Sequence, residues 1–351
     1  MSGTVTEDKI IRLGKMLEDS LRVAVVTHTR PDGDAIGSSS AMVRWLEGKG
    51  KDVRMIIPNA MPGFLVFVTE ECCPGQVIRF DLETEKALAW IESCDTVICL
   101  DAKGFGRMEG MTEALESHKA RKILIDHHLD PHEEMFDIVF SETEISSTCE
   151  LLFQVLLALE GTDDASRLPM PVLRALLTGM TTDTNNFANS VFPSTFGMAS
   201  QMLAAGVDRD GILSELYNRC RENRLRMTGY ALRDKLTILP CGAAYIVLRS
   251  DELAAYDIRE GELEGLVNMP LTIEGVRMSM FLKEDAGGYF RVSLRSRRGT
   301  SAFRFAEKFF HGGGHEQASG GRLYFPDDIA DPSQAETFLE RAAEEYFEKE
   351  R

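Results

Sequence analysis

A chain of 351 residues is long enough for two domains that each bury a core of their own. Apolar residues make up 44% of the chain and charged residues 27%, as in globular proteins, and no apolar run reaches the roughly 20 residues that cross a bilayer. The formal net charge of -17 argues against a basic groove for long nucleic acid, because such a groove contacts many phosphates through lysine and arginine.

The opening segment MSGTVTEDKIIRLGKMLEDS mixes acidic and apolar residues and lacks the pattern of a secretory signal. We therefore expect a cytoplasmic protein without a membrane partner. The seven cysteines are scattered and form no C-x-x-C pair, which indicates reduced, structural thiols.

Four apolar runs alternate with helical patterns in the first part of the chain. The runs are RVAVVT, VRMIIP, TVICL and KILID. Strands that alternate with helices form βαβ units and a parallel sheet. We therefore predict a doubly wound α/β domain over residues 1–205, with a ligand crevice at the carboxyl ends of its strands.

The remaining sequence predicts a connector and a second domain. Residues 206–236 have a helical pattern and few strand signals, so they are expected to form a helical connector. Beyond them, AAYIVL, VRMSMFL and YFRVSL predict strands, the last two joined by the hairpin loop KEDAGG. With two helix candidates, SAFRFAEKFF and PSQAETFLERAAEEYFEKE, residues 237–351 are expected to form a smaller α+β domain with a mixed sheet.

Acidic and imidazole side chains stand at several element ends that are predicted to face the crevice. They are His28, Asp32 and Asp34 after RVAVVT, Asp101 after TVICL, Asp126, His127 and His128 after KILI, and Asp183 after a predicted helix. A single aspartate there is usually a turn or cap residue, but several converging carboxylates repel one another unless cations neutralise them. Such ligands suit Mn²⁺ or a similar divalent ion, and a pair of ions favours phosphate ester hydrolysis.

A concentrated basic stretch lies in the second predicted domain. Arg295, Arg297 and Arg298 end a strand pattern, and Gly312–Gly314 with His315 are predicted to form a flexible loop. Such arginines are also typical of a solvated strand end, and such glycines of a helix stop. In an acidic protein, however, arginine forks and glycine N–H groups are suited to hold a terminal phosphate of a substrate.

Taken together, these motifs resemble the DHH phosphoesterase superfamily. The matching pieces are HTRPDGDAIGS, the lone Asp101, IDHH, TTDTNNF, and the late VSLRSR with GGGH, and they span nearly the whole chain. More narrowly, they resemble the bacterial nanoRNase and pAp phosphatase group, which carries a DHH-associated carboxyl-terminal domain. The chain departs from the pattern at Asn185, where many relatives have glycine.

The resemblance implies two Mn²⁺ ions, with Mg²⁺ or Co²⁺ as alternatives. It implies that one ion is held by His28, Asp32 and Asp101, and the other by Asp34, Asp101, His127 and Asp183. Asp101 would bridge the ions, His128 would face the scissile phosphate, and Asp126 would orient its neighbours. In the second domain, the residues implied to bind substrate are Arg295, Ser296, Gly313, Gly314 and His315.

We therefore expect a metal-dependent phosphohydrolase with a small nucleotide substrate. It would degrade very short oligonucleotides, linear dinucleotides or 3′,5′-bisphosphate nucleotides such as pAp to mononucleotides. Three alternatives remain open: a cyclic dinucleotide phosphodiesterase, a pyrophosphatase or exopolyphosphatase, and a nucleotide sensor without activity. The preferred length and base of the substrate, the metal used in cells and the choice between monomer and homodimer are also left open.

Overall fold

The computed structural model describes residues 3–70, 72 and 75–348. It divides the chain into two units, Met1–Arg219 and Cys220–Arg351. The first unit contains a parallel sheet with helices on both faces, and the second contains a mixed sheet with helices, as the sequence predicts. Among the described residues, no helix combines the length and the apolar character needed to cross a membrane.

The first unit is built on six parallel strands. In chain order they are β1 (Arg22–Val26), β2 (Asp52–Ile57), β3 (Val77–Arg79), β4 (Thr96–Leu100), β5 (Arg121–Asp126) and β6 (Ile138–Ser141). Their order across the sheet is β3-β2-β1-β4-β5-β6. Strands β1 and β4 consist largely of buried apolar residues, as expected for parallel strands that are covered on both faces.

Helices of the first unit bury the two faces of this sheet. They are α1 (Glu7–Glu18), α2 (Gly33–Gly48), α3 (Val66–Thr69), α4 (Thr84–Ser93), α5 (Thr112–Ser117), α6 (Thr148–Leu159), α7 (Met170–Asp183), α8 (Pro193–Ala204) and α9 (Arg209–Tyr217). Alternate residues of β1 enter two separate apolar cores, Val23 and Val25 in one and Ala24 and Val26 in the other. This alternation follows from the two-residue period of a strand.

The strand order reverses direction between β1 and β4. The chain runs outward from β1 to β2 and β3, then returns to β4 beside β1 and continues outward on the other side. In open parallel sheets, the crevice at the carboxyl ends of two such strands is where ligands bind. His28 and Asp101 follow the last residues of β1 and β4 within two positions, so the topology places both side chains at this crevice.

The second unit contains a mixed sheet of six strands. They are β7 (Thr237–Ile238), β8 (Ala243–Leu248), β9 (Met278–Asp285), β10 (Tyr289–Ser296), β11 (Gly313–Gly314) and β12 (Ala318–Tyr324), in the order β11-β12-β10-β9-β8-β7. Strands β8 and β9 are parallel and the other pairs are antiparallel. The helices of this unit are α10 (Glu222–Tyr230), α11 (Ser250–Ala255), α12 (Ala302–Phe309) and α13 (Ala335–Glu348).

The glycine run in the second unit is not the flexible loop that the sequence predicts. Gly313 and Gly314 form β11 and pair with Gly320 and Ser319 of β12. Glycine is required for this close approach, because a Cβ on Gly312 would collide with the carbonyl oxygen of Gly320. The run therefore forms one edge of the sheet.

Helices α2 and α7 pack unusually closely in the first unit, and glycine makes this contact. A Cβ on Gly37 of α2 would lie 2.6 Å from the carbonyl oxygen of Ala175 and 3.0 Å from the Cα of Gly179, both in α7. Both neighbours are helix backbone, so neither can move away without displacing α7. The contact matters for the crevice because α2 begins just after Asp32 and α7 ends at Asp183.

Gly37→Ala is therefore expected to lower the free energy of unfolding by about 1–3 kcal/mol, the usual cost of overpacking a tight interior. Gly48→Ala is the matched control, because Gly48 ends the same helix and its added Cβ would meet nothing within 4 Å. The control should be neutral or stabilising by up to about 1 kcal/mol, since alanine is the better helix former. Urea unfolding of both variants measures the difference, and equal stability would contradict this account of the helix contact.

Candidate metal centre

The turn after β1 supplies a histidine and two aspartates. Asp32 caps α2, since its Oδ1 accepts hydrogen bonds of 3.1 Å from the amides of Asp34 and Ala35. Oδ1 of Asp32 therefore has the role of a turn and cap residue. Its other oxygen, Oδ2, lies 3.9 Å from Nε2 of His28. Nδ1 of His28 lies 2.9 Å from the carbonyl oxygen of Thr29, which requires a proton on Nδ1 and leaves the Nε2 lone pair directed to the crevice.

Asp101 lies between two histidines, directly after β4. Its Oδ2 is 3.4 Å from Nε2 of His28, and its Oδ1 is 3.6 Å from Nε2 of His127. The residue is buried and has a φ of 55°, in the left-handed region that most side chains avoid. Such strain often occurs at functional sites, where the surrounding structure holds the residue in place.

His127 brings two further sequence-predicted residues, Asp34 and Asp183, into the same cluster. Nε2 of His127, which follows β5, lies 3.9 Å from Oδ2 of Asp34 and 3.7 Å from Oδ2 of Asp183. Asp34 is in the first turn of α2, and Asp183 is the last residue of α7. The structure therefore brings together the ends of β1, β4, β5 and α7, which are distant along the chain.

These residues form three overlapping groups whose side-chain ligand atoms lie within 4.8 Å of one another. The groups are His28 with Asp32 and Asp101, Asp101 with His127 and His128, and Asp34 with His127 and Asp183. Histidine-to-carboxylate distances of 3.4–3.9 Å are longer than ordinary hydrogen bonds. They are close to the separation of about 3–3.5 Å between neighbouring ligands that each lie about 2.0–2.2 Å from a shared cation. The donor set therefore fits divalent cations.

The electrostatics of the cluster also require positive charge. Burial raises the pKa of Asp34 well above its usual value, and the charges of Asp101 and Asp183 raise it further. The pKa of Asp183 is raised by burial and then by the charges of Asp32 and Asp101. In the described part of the chain, the only basic side chains that pair with these four carboxylates are histidines. A bound cation would supply the missing charge.

Histidine charge compensates only one member of the cluster. Burial alone would raise the pKa of Asp101, but His28, His128 and His127 outweigh burial and lower it. The proximity of all three rings explains why Asp101 stays ionised while its aspartate neighbours are driven towards the protonated form.

Asp126 holds His128 in a fixed orientation. Nδ1 of His128 lies 2.7 Å from Oδ1 of the buried Asp126, at the end of β5. Burial lowers the pKa of His128, but the hydrogen bond to Asp126 and the charges of Asp101 and Asp126 outweigh burial and raise it. A proton is therefore favoured on Nδ1, and the ring cannot rotate without breaking this bond.

The amino terminus of α6, which none of the sequence motifs includes, contacts two carboxylates of the cluster. The amides of Thr148 and Cys149 donate to Oδ2 and Oδ1 of Asp34 at 2.7 and 2.9 Å, and the Thr148 hydroxyl donates to Oδ1 of Asp101 at 3.1 Å. Helix amino termini favour anions because their first N–H groups have no partner within the helix. The sequence S-T-C-E marks such a terminus, since Ser147 caps the helix and Glu150 follows three residues later.

A buried glutamate in α6, also outside the sequence motifs, supports this helix terminus. Glu150 Oε2 accepts hydrogen bonds from the amide of Ser146 at 3.2 Å, from the Ser146 hydroxyl, and from the Thr195 hydroxyl at 2.7 Å. Thr195 lies in the first turn of α8, which follows the segment after Asp183. Glu150 therefore ties the start of α8 to the helix terminus that binds Asp34.

The segment after Asp183 has an unusual backbone. Asn185, Asn186 and Phe187 have φ values of 47°, 56° and 67°, so the backbone of three successive residues is in the left-handed region. Glycine would take this conformation freely, and asparagine tolerates it better than most residues. The asparagine that departs from the family pattern at position 185 therefore suits the conformation that its position requires.

The sequence-predicted residues of the second unit lie close together at one end of its sheet. Arg295 of β10 is opposite Ala318 of β12, and the amide of His315 donates to the Ala318 carbonyl at 2.8 Å. The Arg295 guanidinium donates to the Leu294 carbonyl at 2.9 Å, and burial lowers its pKa. The hydroxyl of the buried Ser296 donates to Thr300, and Gly313 and Gly314 form β11. The exposed His315 and half-buried Arg295 can therefore meet one ligand.

Comparisons with known proteins agree with the geometry. Residues 22–180 match the DHH family, N-terminal domain, and residues 242–349 match the DHHA1 domain. The chain is 28% identical to the bifunctional oligoribonuclease and PAP phosphatase NrnA of Thermus thermophilus, over 92% of both chains. It is 26% identical to the protein of the same name in Bacillus subtilis, over 86% of this chain and 89% of that protein.

A solved structure extends the similarity to the whole fold. The crystal structure of an exopolyphosphatase-related protein from Bacteroides fragilis superposes with a TM-score of 0.89 and 34% sequence identity, over 99% of both chains. Both the sequence matches and this structural match include the strand ends that carry the acidic and imidazole cluster. The chain therefore belongs to the DHH family of phosphoesterases, with a DHH domain followed by a DHHA1 domain.

Proposed function

We propose that this chain is a divalent-metal-dependent phosphohydrolase that degrades very short oligonucleotides and 3′,5′-bisphosphate nucleotides such as pAp to mononucleotides. The single observation that carries the proposal is the convergence of carboxylates and histidines at the strand crossover point, without lysine or arginine ion pairs in the described residues. The relatives named as oligoribonucleases and PAP phosphatases support this substrate class.

We propose that the centre binds two Mn²⁺ ions, with Mg²⁺ or Co²⁺ as alternatives. One ion would be held by His28, Asp32 and Asp101, and the other by Asp34, Asp101, His127 and Asp183. The positions of the Asp101 oxygens support its bridging role, because one faces His28 and the other faces His127. When bound, a pair of such ions lowers the pKa of water and stabilises charge on a phosphoryl group.

Residues around the ligands would orient the reacting groups. His128 is proposed to face the scissile phosphate and to stabilise charge on it or on the leaving oxygen. Asp126 would act through His128, whose ring it holds by the bond to Nδ1. Thr148 and the amide of Cys149 would keep Asp101 and Asp34 in their binding positions, since both carboxylates accept hydrogen bonds from them.

We propose that the substrate is also held by the second unit. The contributing residues would be Arg295, Ser296, Gly313, Gly314 and His315. The guanidinium of Arg295 suits a phosphate because it is partly removed from water and donates a hydrogen bond to a backbone carbonyl. In this division of labour, residues 1–205 form the catalytic domain, 206–236 a helical linker and 237–351 the substrate-binding domain.

A substrate panel with Mn²⁺ tests the proposed activity. The expected products are mononucleotides from a linear dinucleotide, and AMP with phosphate from pAp. The same panel includes a cyclic dinucleotide, pyrophosphate and polyphosphate, whose preferential hydrolysis would favour the corresponding alternative enzyme. No turnover of any compound by protein with two bound ions would favour a nucleotide sensor and contradict the proposal.

Asp101→Asn is expected to remove the bridging carboxylate and to lower turnover of a dinucleotide by at least about 1000-fold. Asparagine keeps the size of the side chain and tolerates the left-handed φ of this position, so the fold should persist. Atomic emission should show loss of bound Mn²⁺ in this variant. Asp163→Ala changes an exposed aspartate of the same unit and should keep both metal and activity. Full metal content in Asp101→Asn would refute the bridging role.

Asp183→Asn is expected to stabilise the metal-free protein near pH 8. The raised pKa of Asp183 means that the folded state loses stability as pH rises from the usual carboxyl pKa through the raised one. The amide avoids this loss. The midpoint of thermal unfolding, measured in the presence of a chelator, should therefore rise by roughly 2–4 °C for each kcal/mol of repulsion that is removed. The advantage should vanish towards about pH 3, below the usual carboxyl pKa, where the carboxyl is mostly protonated in both states. A variant that is less stable than the parent at pH 8 without metal would contradict the repulsion argument.

Arg295→Ala should raise KM for a dinucleotide by about 10- to 100-fold while leaving Mn²⁺ content unchanged, because a charged hydrogen bond to phosphate is lost. Arg298→Ala is the matched control, since Arg298 is exposed and only three residues away. The control should change KM by less than about twofold, as expected for surface charge. Steady-state kinetics and atomic emission provide both values. Metal loss in Arg295→Ala would contradict the proposed separation of roles.

A further inference from the structure

Arg107 is a basic residue beside the metal centre that none of the motifs includes. It is the last residue of a short 3₁₀ turn, Phe105–Arg107, that follows Asp101 and β4. Its carbonyl accepts a hydrogen bond of 2.8 Å from the amide of Thr29, the residue after His28. The backbone of Arg107 therefore lies against the segment that supplies the first group of carboxylate and imidazole ligands.

The turn that carries Arg107 is firmly held. Phe105 is fully buried, and its ring centroid lies 5.1 Å from that of Phe136. The Phe105 carbonyl accepts a hydrogen bond of 2.9 Å from the Thr112 hydroxyl, and the Thr29 hydroxyl accepts one of 3.1 Å from the amide of Glu109. Two segments thus fix the backbone on either side of Arg107, while its own side chain is exposed.

The guanidinium lies close enough to influence both histidines at the centre. The positive charge of Arg107 acts on the rings of both His28 and His128. Together with the backbone contact to Thr29, this places a cation beside the metal centre.

Arg107 nevertheless makes no ion pair. Within residues 3–70, 72 and 75–348, its guanidinium has no hydrogen bond or salt-bridge partner. Other arginines in the described part of the chain pair with carboxylates, as Arg221 does with Asp257 and Glu262. An unpaired guanidinium keeps five N–H donors in a planar fork, a geometry that matches two oxygens of a phosphate.

We propose that Arg107 binds the non-bridging oxygens of the nucleotide phosphate that reacts at the metal centre. This inference rests on the proposed function and adds a substrate contact from the first unit, separate from Arg295 in the second. Arg107 would neutralise charge on the phosphoryl group from the solvent side, opposite the buried carboxylates. Because the turn is fixed in advance, the contact needs little rearrangement of the backbone.

The test compares Arg107→Gln and Arg107→Lys with Arg12→Gln. Arg12 is an exposed arginine of α1 that donates to the Asp137 carbonyl just before β6, at the opposite end of the sheet from the metal centre, so it controls for the loss of one positive charge. Each variant is loaded with Mn²⁺, and its metal content, thermal midpoint, dinucleotide kinetics and inhibition by inorganic phosphate are measured.

Arg107→Gln is expected to lower kcat/KM by about 10- to 100-fold and to weaken inhibition by phosphate, with metal content and thermal midpoint unchanged. Arg107→Lys should fall between the parent and the glutamine variant, because it keeps the charge but loses the fork. Arg12→Gln should stay within about twofold of the parent on both measures.

Two results would overturn the inference. One is that kcat/KM and phosphate inhibition of both Arg107 variants stay within twofold of the values for Arg12→Gln. The other is loss of metal or of thermal stability in Arg107→Lys, which would assign Arg107 a structural role. Calorimetric titration of inorganic phosphate into the Mn²⁺-loaded parent and Arg107→Gln separates this inference from the proposed function. If the parent hydrolyses no nucleotide, the proposed function fails. In that case, a weaker phosphate affinity of Arg107→Gln still supports phosphate binding by Arg107, and an equal affinity contradicts it.

Discussion

Mutual repulsion among buried carboxylates is the constraint on which the structure of the first unit depends. The buried Asp34 and Asp101 and the half-buried Asp183 are brought together, and only histidines pair with them in the described residues. The strand crossover between β1 and β4 creates this cluster, and the amino terminus of α6 supports it with backbone amides. The fold therefore maintains an arrangement that is unfavourable without bound cations and well suited to binding them.

The sequence predicted the architecture through its long apolar runs. Strands β1, β2, β4 and β5 coincide with four runs that are buried in the sheet, and the hairpin of β9 and β10 follows its predicted loop. The short edge strands β3 and β6 carry too few residues to form a recognisable pattern. Strand β12 was missed because Gly320 and Gly321 suggest a loop, whereas they allow close approach of Val292 of β10 and of Phe310.

The candidate site was predictable where acidic and imidazole side chains directly follow predicted strands. His28, Asp101 and His127 each follow a strand, so a parallel sheet alone implies that they meet. The contributions of Thr148 and Cys149 depend on backbone amides, which every residue has, and only the capping sequence around Ser147 points to them. Arg107 could not be distinguished from other surface arginines, because its significance lies in its missing partner and in the turn that holds it.

The most direct test of the central claim is diffraction from crystals grown with Mn²⁺, recorded at the manganese absorption edge. Two anomalous peaks are expected about 3.5–4 Å apart, the spacing of two-metal sites, with the Asp101 carboxylate between them. One peak should contact His28 and Asp32, and the other His127, Asp34 and Asp183. Anomalous density elsewhere, or none among these side chains, would contradict the claim that their repulsion is balanced by bound metal.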